Sequence, residues 1–246
     1  MKPYVRALTY PPLFSDLASL TRFCASGRRR GRTVVRLRAL AGRPFVFRSG
    51  TTDRHVLYAT FFHRFHVVNG IDSPRTIVDL GSNIGSTMAH FATLYPSVRV
   101  IGVELDSDNA ALCAENVRAF GSRCRVVNAA IWDTDGTVAY SRNGAGEDAY
   151  EATSDSDEGT TVPAISVGTL LRNHGVETVD LLKMDIEGAE RRVLNTNTTW
   201  AESVKRIIVE THLPYATDEC VVTLRRLGFE TELSAYHPWA VIGRRP

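Results

Sequence analysis

The chain of 246 residues is 43% hydrophobic and 23% charged, with a formal net charge of only +2. This composition is ordinary for a globular protein and excludes a disordered or collagen-like chain. Its four cysteines form no C-x-x-C pair or zinc-like Cys/His spacing, so we expect free thiols. No apolar run could span a bilayer, and arginines and prolines interrupt the N-terminal apolar stretches, unlike a signal peptide, so a cytoplasmic protein is expected.

The charge is unevenly distributed along the chain. Residues 1–48 contain eleven Lys and Arg residues but only one acidic residue, Asp16. Such a segment can contact phosphates, anionic lipids or nucleic acids, although no aromatic pattern typical of RNA binding accompanies it. A solvated face that also contacts the acidic remainder of the chain is the favoured explanation. An anionic partner stays open, whereas a nucleic acid is not expected.

The apolar spacing predicts a helix, two extended segments and a second helix before residue 70, at 14–24, 33–37, 44–47 and 55–68. From residue 76 onward, short apolar strands alternate with helices, which indicates a parallel sheet covered on both faces. The predicted strands are 77–80, 99–104, 125–128, 181–185, 207–211, 229–233 and 240–243, and the predicted helices are 85–94, 107–120 and 216–227.

Local signals refine two parts of this pattern. Ser107 is expected to cap the start of helix 107–120, and Gly121 is expected to end it. Residues 141–162 are rich in glycine and acidic side chains, which predicts a polar insertion. A disordered surface loop and a lid near the active site are equally good interpretations of this insertion.

The most informative segment follows the first predicted strand. A loop from Gly81 to Gly85 joins this strand to a helix, and backbone N–H groups in such a loop can face a ligand. Asp79, at the end of the strand, would repel a pyrophosphate and attract an ammonium or sulfonium group, unless it only caps the helix. S-adenosylmethionine (SAM) carries both cations, so SAM is the predicted cofactor. The residues expected to bind it in this loop are Asp79, Gly81, Ser82, Asn83 and Gly85.

A second acidic residue fits the same cofactor. Glu104 ends the second strand, 19 residues after Gly85. A carboxylate at this position can bind both hydroxyls of an adenosine ribose. The structural alternative is a surface acid at a strand end.

Further polar residues follow the fourth and fifth strands. Because the carboxyl ends of parallel strands form the ligand-binding edge of such a sheet, we expect Asp185 and Glu187 to face the transferred methyl group. His212 is expected on the same edge, where a purely structural role is the alternative. His212 titrates near neutral pH, which suits a general base, and Glu210 could orient it. Glu190 is interpreted as an acid that only favours the first turn of a helix. Asp185 with Glu187 or Glu210 offers oxygen ligands for Mg²⁺, but no separate Asp-Asp pair supports this, so no metal is expected.

Four segments resemble FkbM-type SAM-dependent methyltransferases: 78–85 (VDLGSNIG), 102–104 (GVE), 128–131 (NAAI) and 183–190 (KMDIEGAE). The last is quite specific to that family, whereas the first is common among class I methyltransferases. The resemblance covers about residues 76–211. It implies an α/β, Rossmann-like fold in which helices cover both faces of a seven-stranded, mostly parallel sheet whose last strand is antiparallel.

The resemblance also implies site roles and a division of the chain. Glu104 would contact the ribose of SAM, Asn128 and Ala129 would line the adenine, and Asp185 would lie near the methyl group. Residues 71–246 would form the methyltransferase domain, preceded by a basic extension and helical cap at 1–70. The family methylates hydroxyls, often on sugars of glycolipids, polysaccharides or natural products.

These observations predict a SAM-dependent O-methyltransferase that acts on a hydroxyl of a sugar, glycolipid or related glycoside, with Asp185, His212 and Glu187 as catalytic candidates. A nicotinamide-dependent oxidoreductase is the first alternative, opposed by Asp79 and by the missing middle glycine of G-x-G-x-x-G. A non-catalytic protein with a SAM-type fold, binding a partner through its arginine-rich arm, is the second. The oligomeric state is not predicted.

Overall fold

A computed structural model describes residues 13–27, 30–142, 150–153 and 160–246. Lys2, Arg6, Arg28 and Arg29 of the basic segment lie outside these residues. The helices are α1 (Leu17–Ala25), α2 (Asp53–Tyr58), α3 (Ser86–Leu94), α4 (Ser107–Val117), α5 (Val167–Asn173), α6 (Glu190–Val193) and α7 (Thr217–Arg226). The strands are β1 (Gly31–Arg36), β2 (Pro44–Ser49), β3 (Thr76–Leu80), β4 (Arg99–Glu104), β5 (Cys124–Asn128), β6 (Ala130–Trp132), β7 (Gly136–Arg142), β8 (Tyr150–Thr153), β9 (Thr160–Ser166), β10 (Leu181–Met184), β11 (Arg206–Glu210), β12 (Glu230–Leu233) and β13 (Ala240–Arg244).

The main sheet has the strand order β12-β13-β11-β10-β3-β4-β5, seven strands within the described residues. Its five central and edge strands from β11 to β5 are parallel, whereas β13 is antiparallel to both β11 and β12. The predicted α/β fold with an antiparallel last strand is therefore confirmed. The order reverses between β3 and β10, and ligands bind at this kind of switch point in open α/β sheets.

Two hydrophobic layers cover the sheet because successive residues of a strand face opposite sides. Ile77 of β3 packs into a layer that includes Phe45 and Phe61 from the N-terminal elements. Val78 and Leu80 of the same strand pack into the opposite layer, with residues of α5 and α7. The N-terminal elements thus share one hydrophobic core with the sheet.

Three local features of the predicted helices can be compared closely with the structure. The helix predicted at 55–68 ends at His63, after a π-helical turn (Ala59–His63), because Arg64 adopts a left-handed φ of 57°. The start of α4 is capped by Asp106, whose carboxylate accepts from the N–H of Asn109, so the predicted cap at Ser107 is wrong. The α-helix ends at Val117, earlier than predicted, and continues as a 3₁₀ turn until Gly121, whose non-helical backbone (φ of 60°) interrupts the helical run as expected.

A second sheet, with the order β6-β9-β7-β8, was not predicted. Val138 of β7 faces Val162 of β9 in this sheet, and both side chains are buried. Residues 141–142, 150–153 and 160–162 of the predicted polar insertion are strands, so the loop interpretation is wrong there. The rest of the insertion, 143–149 and 154–159, lies outside the described residues.

Several basic residues of the N-terminal segment bond within the protein. Arg32 pairs with Glu115, and Arg38 donates to the carbonyl oxygen of Phe14. Arg48 donates from its Nε and Nη2 to the two carboxylate oxygens of Asp53. These contacts fit the favoured explanation that the segment contacts acidic and polar parts of its own chain. Among the described residues, no helix is long and apolar enough to cross a bilayer.

Candidate active site

The loop between β3 and α3 passes directly over the end of β10. Gly81 has a φ of 80°, and a Cβ added there would lie 1.7 Å from the carbonyl oxygen of Asp185. Gly85 has a φ of 83°, and an added Cβ would lie 2.8 Å from the Sγ of Cys113. Both glycines are therefore required by backbone conformation and by close packing.

The N–H groups of this loop already have partners inside the protein. Those of Gly81 and Ser82 donate to the carbonyl oxygen of Val103, and that of Gly85 donates to the carbonyl oxygen of Ser82. Those of Asn83 and Ile84 donate to the side chains of Glu104 and Asn83. The expectation that these N–H groups face a ligand is wrong, and the loop offers no ready cradle for a phosphate.

Asp79 lies beneath the loop and is fully buried. Thr87 donates its hydroxyl to one carboxylate oxygen, and the Nζ of Lys183 lies 3.3 Å from the other. Burial raises the pKa of Asp79, and the charge of Lys183 opposes this shift. The residue lines neither of the two cavities described below. The charge argument from the sequence overlooked Lys183, which pairs with Asp79 across neighbouring strands.

A cavity opens beside the end of β4, with about 570 Å³ of space when its solvent-open part is included. The Glu104 carboxylate contributes to its wall and accepts the N–H groups of Asn83 and Asp106, at 2.8 and 2.9 Å. Burial raises the pKa of Glu104 to about 7. Ala129 also lines this cavity, whereas the exposed Asn128 instead donates its side-chain amide to the carbonyl oxygens of Glu104 and Leu105.

A larger cavity lies between the sheet edge and the N-terminal elements, with about 1030 Å³ of space when its solvent-open part is included. Its walls include His55 and Phe65 from the N-terminal side and Glu210 from β11. Asp185 and Glu187 line both cavities. Gly81 and Asn83 line both as well, Ser82 lines only the larger one, and Gly85 lines neither.

A cluster of acidic groups surrounds His212 at this junction. The Nε2 of His212 lies 3.4 Å from Glu187 Oε2, 3.7 Å from Asp185 Oδ1 and 4.0 Å from Glu210 Oε1. The structure thus brings together the three catalytic candidates that were predicted from separate segments. His212 lines neither cavity, although its side chain is 23% exposed.

Glu190 holds this cluster together. Its fully buried carboxylate lies 2.9 Å from the Nδ1 of His212 and accepts the N–H groups of Ile186 and Gly188. The interpretation of Glu190 as an acid that merely favours a helix start is wrong. The sequence signal was weak, because an acid in a first helical turn is equally typical of a solvated surface.

The charges in the cluster shift one another's pKa values. Burial alone would lower the pKa of His212, but the hydrogen bond to Glu190 and the charge of Asp185 raise it to about 10. Burial and the charge of Asp185 raise the pKa of Glu187 to about 8. In the ligand-free protein these acidic neighbours favour the protonated form of His212, which departs from the expectation that it titrates near neutrality.

The chain is similar to several known methyltransferases. It is 27% identical over 150 residues to the 2-O-methyltransferase NoeI of Sinorhizobium fredii (strain NBRC 101917 / NGR234), a match that covers 54% of this chain and 61% of that relative's length. Among solved structures, it resembles a precorrin-6y C5,15-methyltransferase from Geobacter metallireducens GS-15 with a TM-score of 0.48 and 11% identity, covering 78% of this chain and 89% of the other. A methyltransferase from Geobacter sulfurreducens gives a TM-score of 0.46 with 14% identity, covering 100% and 97%. The family model described as the methyltransferase FkbM domain matches residues 79–231, more than half of the chain, which therefore belongs to the FkbM methyltransferase family.

Proposed function

We propose that this protein transfers a methyl group from SAM to a hydroxyl of a sugar, glycolipid or related glycoside. The observation that carries the proposal is the meeting of two cavities at Asp185 and Glu187, on the carboxyl edge of the sheet. A methyl donor in the smaller cavity and an acceptor in the larger one would meet at these carboxylates. The family match and the similarity to a protein named as a 2-O-methyltransferase support this reaction.

The smaller cavity fits the adenosine part of SAM. The carboxylate of Glu104 is suited to accept hydrogen bonds from both ribose hydroxyls, and Ala129 and Ile131 offer an apolar wall for adenine. The methionine part would extend past Gly81 and Asn83 toward Asp185. Bound in this way, SAM would supply an electrophilic methyl group at the junction of the cavities. Gly85 and Asp79 would then support the loop from beneath, together with Lys183.

The engaged N–H groups of the glycine loop favour SAM over a dinucleotide. Phosphates bind at such loops because unpaired N–H groups point toward them. Here the N–H groups from Gly81 to Gly85 all donate within the protein. This argument replaces the one based on Asp79 and also opposes a nicotinamide-dependent oxidoreductase.

The larger cavity would hold the acceptor. Asp185 and Glu187 face it and are suited to accept a hydrogen bond from the acceptor hydroxyl and to hold its proton during transfer. His212 would act by fixing the positions of both carboxylates. The described part of residues 1–70 would form a cap over this cavity, since His55 and Phe65 contribute to its wall. An anionic group on the acceptor would find Arg22, Arg30 and Arg32 along a separate surface groove.

Calorimetry and mass spectrometry together test the proposal. We expect wild-type protein to bind SAM and its demethylated product, and to transfer a trideuteromethyl group from labelled SAM to at least one member of a panel of methyl glycosides. His212→Ala should bind SAM with unchanged affinity and transfer the label more slowly, because His212 contacts the two carboxylates but does not line the proposed cofactor cavity. Binding of NAD in place of SAM would refute the whole proposal. SAM binding without transfer to any glycoside would refute the acceptor class alone.

A further inference from the structure

We propose that Asp185, Glu187 and His212 form a binding site for a divalent cation of the Mg²⁺ or Mn²⁺ type at the junction of the two cavities. One ligand atom from each residue lies within 4.8 Å of the others. Ligand atoms held about 2.1 Å from one such ion stand about 3 Å apart when adjacent and about 4 Å apart when opposite. The distances of 3.4 and 3.7 Å from His212 Nε2 to the two carboxylates fall between these values.

Groups outside the ligand set orient two of the three ligands. The Nδ1 of His212 is held by Glu190, a fully buried carboxylate that does not face the proposed ion. A metal-bound histidine almost always donates its second ring N–H to a carboxylate or carbonyl in this way, which leaves the other nitrogen for the metal. Asp185 is held through Oδ2 by Lys183, so its Oδ1 stays available to the ion.

The third ligand is held by its backbone. Glu187 has a φ of 51°, and the N–H groups on either side of it, from Ile186 and Gly188, both donate to Glu190. The same buried carboxylate therefore fixes the imidazole ring and the loop that carries Glu187. Glu190 thus joins the segment that carries Glu187 to His212, which lies 22 positions after Glu190 in the chain.

The donor set selects the class of ion. The proposed ligands are two carboxylates and one imidazole, so they offer mainly oxygen atoms. A third carboxylate lies nearby, with Glu210 Oε1 4.0 Å from the Nε2 of His212. Oxygen ligands suit Mg²⁺ and Mn²⁺, whereas the described residues bring no cysteine into the ligand group that would favour zinc. An ion here would face both cavities through Asp185 and Glu187. It could bind the acceptor oxygen and favour loss of its proton, so the inference deepens the proposed function of the same site.

Electron paramagnetic resonance of Mn²⁺ tests the site without any need for turnover. Full-length protein is stripped with a chelator, dialysed and titrated with Mn²⁺, whose free signal falls on binding. We expect one saturable site in the wild type, competed by Mg²⁺. Asp185→Asn and His212→Gln should each weaken Mn²⁺ binding about tenfold or more. Glu190→Gln should do the same, because it weakens the support of both the imidazole and the loop that carries Glu187. Glu232→Gln, at an exposed acid of the edge strand β12 that pairs with Arg244, is the matched control and should bind Mn²⁺ as the wild type does.

Two further measurements distinguish a failure of the metal site from a failure of the proposed methyl transfer. Thermal melting of every variant identifies any that fails to fold, and the conservative Asn and Gln replacements keep side-chain volume. SAM calorimetry on the same samples reports on the cofactor site independently. If the wild type holds no Mn²⁺ at micromolar concentrations, or if all variants bind Mn²⁺ equally, the metal site is refuted. Intact SAM binding and methyl transfer in that case would leave the proposed function standing.

Discussion

The raised pKa of Glu104 should make SAM binding depend on pH. Its carboxylate is nearly buried, and this burial raises its pKa from an ordinary 4.5 to about 7. Only the ionised form can accept hydrogen bonds from both ribose hydroxyls, so SAM affinity should rise about tenfold between pH 6 and pH 8. Calorimetric titration of SAM at several pH values measures this change. Glu104→Gln should bind more weakly and show a flatter profile, and a flat profile in the wild type would contradict the assignment.

Individual residues of the site were partly predictable from the sequence. Asp185, Glu187 and His212 follow the ends of parallel strands, and this placement alone predicts that they lie at one sheet edge. The burial of Asp79 was not predictable, because Lys183 pairs with it across a strand register that only folding establishes. The role of Glu190 depends on a contact with a residue 22 positions away, which no local pattern indicates.

The contact between α3 and the segment after the π-helical turn is made by two buried histidines. The Nε2 of His66 lies 2.8 Å from the Nδ1 of His90, and both side chains are almost fully buried. Burial lowers the pKa of His90 to about 4, and burial with the charge of His90 lowers the pKa of His66 as well. The unfolded chain therefore takes up protons below about pH 6.5 that the folded protein does not, and stability falls as the pH decreases from 6.5 toward 4.

His90→Gln tests this acid sensitivity because glutamine does not titrate. We expect the stability advantage of the wild type over this variant to shrink by about 2 kcal/mol between pH 7 and pH 5. Urea unfolding of both proteins at the two pH values measures the difference. The raised pKa of Glu104 changes stability with pH in the opposite direction, but both proteins contain Glu104, so its contribution cancels in the comparison. A difference in unfolding free energy that stays constant would mean that His90 is not held neutral by the fold.

Elements of the main sheet were predictable because their signals are local. Apolar runs such as 99–104, bounded by polar turns, predict buried strands whatever their partners are. The second sheet depends on pairing between distant segments, as in Ile131 with Ile165, and its three-residue strand β6 is too short to show a period. The helix at 55–68 was predicted too long because its apolar and aromatic residues continue past the left-handed turn at Arg64.

At the scale of the whole molecule, the N-terminal elements and the sheet form one core. Phe45 of β2 is fully buried, in edge-to-face contact with Phe61, and belongs to the same hydrophobic layer as Ile77 of β3. Asn116 of α4 also bonds the backbone of Val46 through both its N–H donor and its oxygen. The division of the chain at residue 70 stays a prediction, but these contacts lead us to expect that both parts unfold together.

Phe45→Ala measures that coupling. Loss of a buried phenylalanine should lower the free energy of unfolding by about 3–5 kcal/mol, and the melt should stay a single transition because the cavity opens in a shared core. Leu17→Ala, at an exposed position of α1, is the matched control and should change stability by about 0.5 kcal/mol or less. Calorimetric scans with and without SAM show whether the N-terminal elements and the sheet unfold together. A ligand that binds only the folded sheet raises the melting temperature of every part that unfolds with the sheet. Two separate transitions, with only the later one raised by SAM, would instead establish the N-terminal segment as an independently folding cap.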